Sequence, residues 1–224
     1  SVLKVYNVAS KSVRQITDGC QHYETDDYGF SYEWSPDGQW FALTLISHMR
    51  DPYSDIGIVK ADGSKTIYNI TESAYIDGSP QWVLDGNAII YRSNRYGMRS
   101  HASWGSQNDA FIAFMNQDAY DKFRLNKEEY ALLKEQEKGK KDDKKDESKK
   151  EEKSDKKKDK KDGPSTLRLG SATSGSGSEK DEKPKEVKKI DVDLEHLQDR
   201  VMRLTPMSSS LSGMALSKDG EKFY

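Results

Sequence analysis

The residues best equipped for chemistry lie between Arg92 and Trp104, where Arg92, Arg95, Arg99, His101 and Trp104 surround Ser100 and Ser103. A serine beside a histidine has the residue types of a hydrolytic site. Neighbours in sequence do not make a triad, however, because triads are assembled in space from distant positions. The guanidinium forks of Arg92, Arg95 and Arg99 suit carboxylates, and with His101 and Trp104 they are candidates for holding acidic or carboxylate ends of peptides. The sequence contains no Gly-x-Ser-x-Gly elbow, no His-Glu-x-x-His, no phosphate-binding loop and no Gly-x-Gly-x-x-Gly. His22, His48, His101 and His196 are far apart, without metal-ligand spacing, and the single Cys20 excludes an internal disulfide or a cysteine-based zinc site. Asp26 with Asp27, and Asp51 with Asp55, lack the loop spacing of a calcium site. These acids are expected in solvated turns. No catalytic residue, metal or cofactor is therefore assigned.

The elements that must position these residues announce themselves by repetition. Trp34-Ser35-Pro36-Asp37-Gly38 is a turn in which Pro36 presets φ, Asp37 bonds the following backbone and Gly38 supplies a positive φ. The pattern returns 48 residues later at Asp85-Gly86, and again at Asp219-Gly220. A second motif keeps step with it: Gln15-Ile16-Thr17, Asn69-Ile70-Thr71 and Arg203-Leu204-Thr205, with 14 residues from Thr71 to Asp85 and 14 from Thr205 to Asp219. Four short strands per unit at a period in the forties is the signature of a β-propeller blade. The expected fold is all-β, an incomplete propeller of about three four-stranded blades carrying a long, largely disordered charged insertion.

In chain order, residues 1–17 supply the last two strands of one blade, and 28–71 form a complete blade. The next blade uses 78–115 and, after an insertion over 116–199, strand 200–205. Residues 208–224 start a further blade. Trp34, Trp40 and Trp82 fall at strand positions and are expected in the core between blades. Asn126 followed by Glu129 is a capping box, predicting a helix over about 127–138. Residues 139–189 are expected to be disordered, since a mixed lysine and acid run buries too little apolar surface to offset the entropy of ordering. A hairpin tolerates such an insertion because loop closure costs grow only logarithmically with length. Three blades do not close a ring, so the segment is expected to be marginal alone.

Glu135–Asp162 holds 13 lysines and 11 acids, and the rest carries 23 basic and 27 acidic residues. Neither part has the basic face of a nucleic-acid binder. No apolar run reaches the length of a membrane span, and no signal-peptide pattern opens the chain. Both ends fall inside strand-like segments, so the natural termini are expected to lie outside it.

The repeated Asp-Gly turn with its trailing [Ile/Leu]-Thr resembles the propeller blades of TolB, of the dipeptidyl and prolyl oligopeptidases and of tricorn protease. Tyr91-Arg92-Ser93-Asn94-Arg95-Tyr96-Gly97-Met98-Arg99-Ser100-His101-Ala102-Ser103-Trp104-Gly105-Ser106, then Met115–Phe123, the lysine-rich insertion and Asp199–Pro206 look like bacterial tricorn-like serine proteases. That resemblance implies a long polypeptide with amino-terminal propellers, a PDZ-like module and a carboxy-terminal serine peptidase core. The propellers would admit or guide peptide substrates, and the downstream modules would be the partners of this segment. A homo-oligomer is compatible with the sequence. The family permits a cytoplasmic location, and an exported member would be periplasmic. The alternative is a TolB-like propeller that binds a protein partner without peptidase activity.

Overall fold

Side chains alternate between the two faces of a strand, so a strand apolar at every position must be covered on both sides. Trp40-Phe41-Ala42-Leu43 and Ala110-Phe111-Ile112-Ala113-Phe114 read this way, and all nine residues are buried. A computed structural model describes residues 1–21, 31–47, 52–99, 106–136 and 188–224. They belong to two compact units, Ser1–Arg124 with Val187–Tyr224, and Leu125–Glu186.

The first unit is mostly β. Strands β1 (Lys4–Asn7) and β2 (Ser12–Gln15) form a two-stranded antiparallel sheet. A first four-stranded meander runs β3 (Tyr32–Trp34), β4 (Trp40–Leu45), β5 (Asp55–Lys60) and β6 (Ile67–Asn69) in sequence order. A second runs β7 (Asp77–Val83), β8 (Ala88–Ser93), β9 (Asp109–Phe114) and, after a long excursion, β10 (Val201–Arg203). Every pairing is antiparallel, with a register shift in β7 between Gly78 and Gln81.

Alternation sorts the strands' residues into three cores. Trp40, Ala42, Ile56, Ile58 and Ile70 of the first meander meet Trp82, Ile89, Tyr91, Phe111 and Ala113 of the second. The opposite face of the first meander, Phe41, Leu43, Leu45 and Val59, packs on Leu3 and Ile16. The opposite face of the second, Ala88, Ile90, Ile112 and Phe114, packs on Met214, with Leu211, Leu216 and Phe223 partly buried against it. At roughly 25 cal/mol per Å² of apolar surface removed from water, these shared faces are what hold the sheets together.

Two expectations are corrected here. Trp34 is 44% exposed rather than core. It shares an exposed face of the short edge strand β3 with Tyr32 and lies tilted over Phe41, ring centroids 4.0 Å apart. Asp55 is 1% exposed rather than in a solvated turn. It opens β5 and accepts hydrogen bonds from Asn69, Thr71 and the Ser73 amide at 2.7–3.1 Å, and one from Ser47. Its candidate companion Asp51, like Asp26 and Asp27, lies outside the described residues.

The insertion begins with a helix that the strand pattern did not suggest, α1 (Gln117–Arg124). Asn116 Oδ1 accepts from the Ala119 amide at 2.9 Å as its cap, and Tyr120 and Phe123, one turn apart, close on Phe114 with centroids at 5.6 and 5.1 Å. In the second unit, residues 127–136 are helical. Asn126 Oδ1 accepts from the Glu128 and Glu129 amides at 3.0 and 2.9 Å, while Glu129 accepts from the Asn126 amide at 3.0 Å. The expected disorder over 139–189 falls almost wholly outside the described residues.

The chain returns at Ile190, which is buried and whose amide donates to Asp37 Oδ2 at 2.9 Å. A Cβ on Gly86 would stand 2.1 Å from the Ile190 side chain, so the turn before β8 needs glycine for close approach as well as for its φ of 91°. Arg200, 3% exposed, clasps the returning loop. Its guanidinium donates to the carbonyls of Phe114, Asp193 and Glu195 at 2.6–3.3 Å and to the Asp193 carboxylate at 3.2 Å.

Candidate functional site

The repeated [Ile/Leu]-Thr motif proves to be one structural device. In all three copies of x-[Ile/Leu]-Thr, the middle residue's amide donates at 2.8 Å to a carbonyl on the neighbouring strand: Ile16 to Leu3, Ile70 to Ile56, Leu204 to Ala110. The threonine hydroxyl then accepts from that same neighbour's amide, at 2.9 Å from Leu3, 3.1 Å from Ile56 and 3.3 Å from Ala110. In both four-stranded sheets it also donates to the buried aspartate before that neighbour, Thr71 to Asp55 at 3.1 Å and Thr205 to Asp109 at 2.7 Å. The first residue of the motif reaches the same carboxylate, as Asn69 does to Asp55 and Arg203 to Asp109. Burial works to raise the pKa of Asp109, but hydrogen bonds from Thr205, Ser208 and Arg203 and the Arg203 charge outweigh it and hold the carboxyl below its usual value.

These latches bring polar side chains to one end of both sheets, where β5, β7 and β9 begin and β8 ends. A cavity of about 50 Å³ lies there, lined by Thr71 and Ser73 from the first sheet's exit, by Asp77, Tyr91, Ser93, Phe111 and Val201 from the second sheet, and by Arg95 just after β8 and Gln198 just before β10. Asp77 is 2% exposed. Its Oδ2 accepts from Ser73 at 2.8 Å, whereas its Oδ1 is buried without a hydrogen-bond partner. Burial raises the Asp77 pKa, the nearby hydroxyls of Ser93, Ser73 and Thr71 temper that, and the Asp55 charge adds to it. Burial, then the Asp77 charge, likewise pushes the Tyr91 hydroxyl far up.

An aromatic and guanidinium cluster borders the cavity. Tyr91 and Tyr96 each stack on Phe111, at centroid distances of 5.6 and 6.0 Å. The Arg95 guanidinium lies over Tyr75 and Tyr96 at 5.7 Å, Arg99 over Tyr75 at 5.8 Å, and Arg203 over Tyr96 at 5.1 Å. Of the sequence-nominated residues, the fold thus brings Arg95 and Arg99 together around Tyr75. Arg92 stands apart from them. It is half-buried and committed to the Leu211 carbonyl at 3.2 Å and to Ser79 Oγ at 2.7 Å. His101 and Trp104 lie outside the described residues.

Asp77, Tyr75 and Tyr96 escaped sequence reading. Asp77 carries no motif. Its burial follows from a strand that begins two residues before the visible alternation, and Ser79 and Pro80 hide that start at the bulge. Among the described residues the only histidine is His196, an exposed side chain 3.3 Å from Asp199, so no serine–histidine pair is formed there. No group of three or more metal-ligating side chains is present among them either.

The described residues define a mostly β chain of antiparallel meanders latched by buried aspartates. No family model matches the chain, and no curated protein matches it. Among solved structures, the crystal structure of the tricorn protease aligns with 95% of this chain at 10% identity and a TM-score of 0.47. The chain spans 16% of that protein's length. No helix among the described residues is long and apolar enough to cross a membrane.

Proposed function

We propose that this chain is a non-catalytic β-propeller segment of a tricorn-like serine peptidase, and that it acts as scaffold and as a guide for peptide substrates. The observation that carries the reading is the threefold repetition of the latch. Each sheet begins and ends on the same side, so successive units stack face to face and present their loops at a common end. A propeller is built from units stacked in this way, which supports the reading, and loops on a rigid scaffold are where binding residues concentrate. Of the tricorn-like stretch, Tyr91–Ser93 closes β8 at this end and 94–99 follows it, while 100–105 lie outside the described residues. Arg95 and Arg99, exposed and stacked on Tyr75, suit the carboxylate of a peptide end or an acidic side chain. The PDZ-like and peptidase modules implied by the resemblance would cut what this segment admits. A cytoplasmic or, for an exported member, periplasmic setting is compatible with that role.

The test compares hydrolysis of fluorogenic peptides by the complete polypeptide and by this chain alone. The expected result is turnover by the complete polypeptide only, lost on substitution of a serine beyond Tyr224. In the complete polypeptide, Arg95→Ala with Arg99→Ala should raise KM for peptides with a free carboxylate several-fold at nearly unchanged kcat. Absence of turnover in both, with specific capture of one protein partner, would replace this reading by an interaction propeller. Turnover by the chain alone would place the nucleophile in the loop around His101.

A further inference from the structure

The Asp77 cavity contains one feature that latching does not use. Asp55 and Asp109 have their carboxylates surrounded by donors, as buried acids must. Asp77 is as buried, but its carboxylate accepts a single hydrogen bond, from Ser73 to Oδ2. No hydrogen bond reaches its Oδ1, and the hydroxyls of Ser73, Ser93 and Thr71 stand around the same space. An unpaired buried carboxylate oxygen is costly, and a group that brings N–H donors relieves that cost.

The cavity's shape narrows the donor. About 50 Å³ is available, against roughly 10–15 Å³ for a single water. Its walls are two-sided: hydroxyls and a carboxyl on one side, and the rings of Tyr91 and Phe111 with Val201 on the other. A hydrated metal ion gains nothing from the apolar wall. An alkylammonium uses both, its three N–H groups toward oxygen and its methylene against the rings. The cavity's charged lining is Asp77 and Arg95, and the Arg95 guanidinium lies over Tyr75 and Tyr96 and makes no hydrogen bond to Asp77 Oδ1.

We propose that the Asp77 cavity is a subsite for a primary ammonium group, either the α-amine of a peptide or the side chain of a lysine. The inference deepens the peptide-guiding reading and rests on it only for where the amine comes from. Arg95 and Arg99 would hold a carboxylate near a subsite that holds an amine, so that the site reads peptides by both charges.

The experiment titrates the 224-residue chain and follows backbone amide shifts by NMR, with no peptidase assay involved. Alanyl-alanine amide presents an α-amine, Nα-acetyl-lysine amide presents a side-chain amine, and N-acetyl-alanine amide presents neither. Saturable shifts at Ser73, Ser93 and Arg95 are expected with one or both amines and not with the acetylated control, and which amine acts identifies the source. Asp77→Asn should weaken binding about tenfold or more, since a charge-assisted contact is lost. Should that variant fail to fold, Ser93→Ala is expected to weaken the same shifts while leaving the carboxylate in place. Four results would overturn the proposal: no saturation up to about 50 mM amine, equal shifts with the acetylated control, equal shifts with sodium chloride, or unchanged binding in a folded Asp77→Asn chain. Any of these could occur while the peptidase assay succeeds, and amine binding could hold while that assay fails.

Discussion

The two four-stranded meanders solve one folding problem with different side chains. In the first, β3 turns into β4 through Ser35 and Asp37. Ser35 Oγ donates to Asp37 at 2.6 Å and accepts from the Trp40 amide at 2.9 Å, and Asp37 accepts from the Gln39 amide at 3.0 Å. The turn at Ser217 and Asp219 repeats these bonds at 2.6, 2.9 and 3.2 Å. In the second meander Val83 stands where the serine should be. Leu84, Asp85 and Gly86 all take positive φ, at 53°, 55° and 91°, and the turn leans instead on Ile190 from the returning insertion. The first turn is held by its own Ser35 and Asp37 side chains, with Asp37 also accepting from the Ile190 amide, whereas the second lacks the serine and packs Gly86 against the Ile190 side chain. The same contrast recurs at the other end, where Asp55 is held by neutral donors and Asp109 by a guanidinium.

The sharpest way to break this comparison is at the two buried aspartates. Asp109→Ala leaves the Arg203 guanidinium and the Thr205 and Ser208 hydroxyls without their shared acceptor, and should destabilise by about 3–4 kcal/mol. Asp55→Ala leaves only neutral donors unpaired and should cost about 2 kcal/mol. Urea unfolding of both variants measures the difference. Equal losses would mean that Arg203, a third exposed at its side chain, recovers its solvation in the variant.

Next in size is the clasp that only the second meander has. Arg200→Met retains much of the volume but removes every bond to Phe114, Asp193 and Glu195, orphaning carbonyls around a side chain that is 4% exposed. A loss of about 2–3 kcal/mol is expected. Hydrogen exchange should show it concentrated at Asp193, whose amide bonds the Met115 carbonyl, with Ile56 and Ile70 in the first meander little changed. Exchange rising uniformly across both sheets would show that the returning segment belongs to a single cooperative unit with them.

At the turns, Ser35→Val should cost about 1 kcal/mol, the worth of a hydrogen bond made by a cap-like hydroxyl. Val83→Ser should gain less than that, because Leu84 and Asp85 must leave their positive-φ conformation before the new hydroxyl can be used. A gain matching the Ser35 loss would show that the second turn is held in its form by Val83 alone. These variants also measure what sequence could reveal. The Asp-Gly spacing located all three turns, since turn chemistry is local and shared by every copy. For the middle turn it offered only Val83 in place of the serine, and not the packing of Ile190 on Gly86, which comes from across a long insertion. Likewise Thr17, Thr71 and Thr205 were legible as a repeat, but their partners Asp55 and Asp109 were not. Asp55 reads as a polar loop residue until β5 pairs with β6. Arg95 and Arg99 could be nominated by residue type, while their aromatic partners Tyr75 and Tyr96 became visible only when the start of β7 and the end of β8 were adjacent. Helix α1 has local signals in Asn116 as cap and in the Tyr120–Phe123 spacing, but its eight residues are short and follow directly on the strand periodicity that ends at Met115.

The smallest expected effect contrasts the two buried carboxyls of the second meander by their response to pH. Asp109 has its pKa lowered on folding, so its contribution is present above the unfolded carboxylate value of 3.8 and is lost as pH falls through the folded value. Asp77 has its pKa raised, chiefly by burial, so its ionised form is disfavoured in the fold. That penalty is absent below 3.8, sets in as pH rises from there to the folded value, and is complete above it. Unfolding measured from pH 3 to pH 7 should therefore give opposite slopes. Wild type should pull ahead of Asp109→Asn as pH rises, and Asp77→Asn should gain on wild type over the same range. A saturating primary amine should cancel the second slope and leave the first untouched, because a cation beside Oδ1 makes the charged form of Asp77 welcome. Slopes of the same sign would mean that Asp77 finds its missing donor in solution and that the two acids are alike after all.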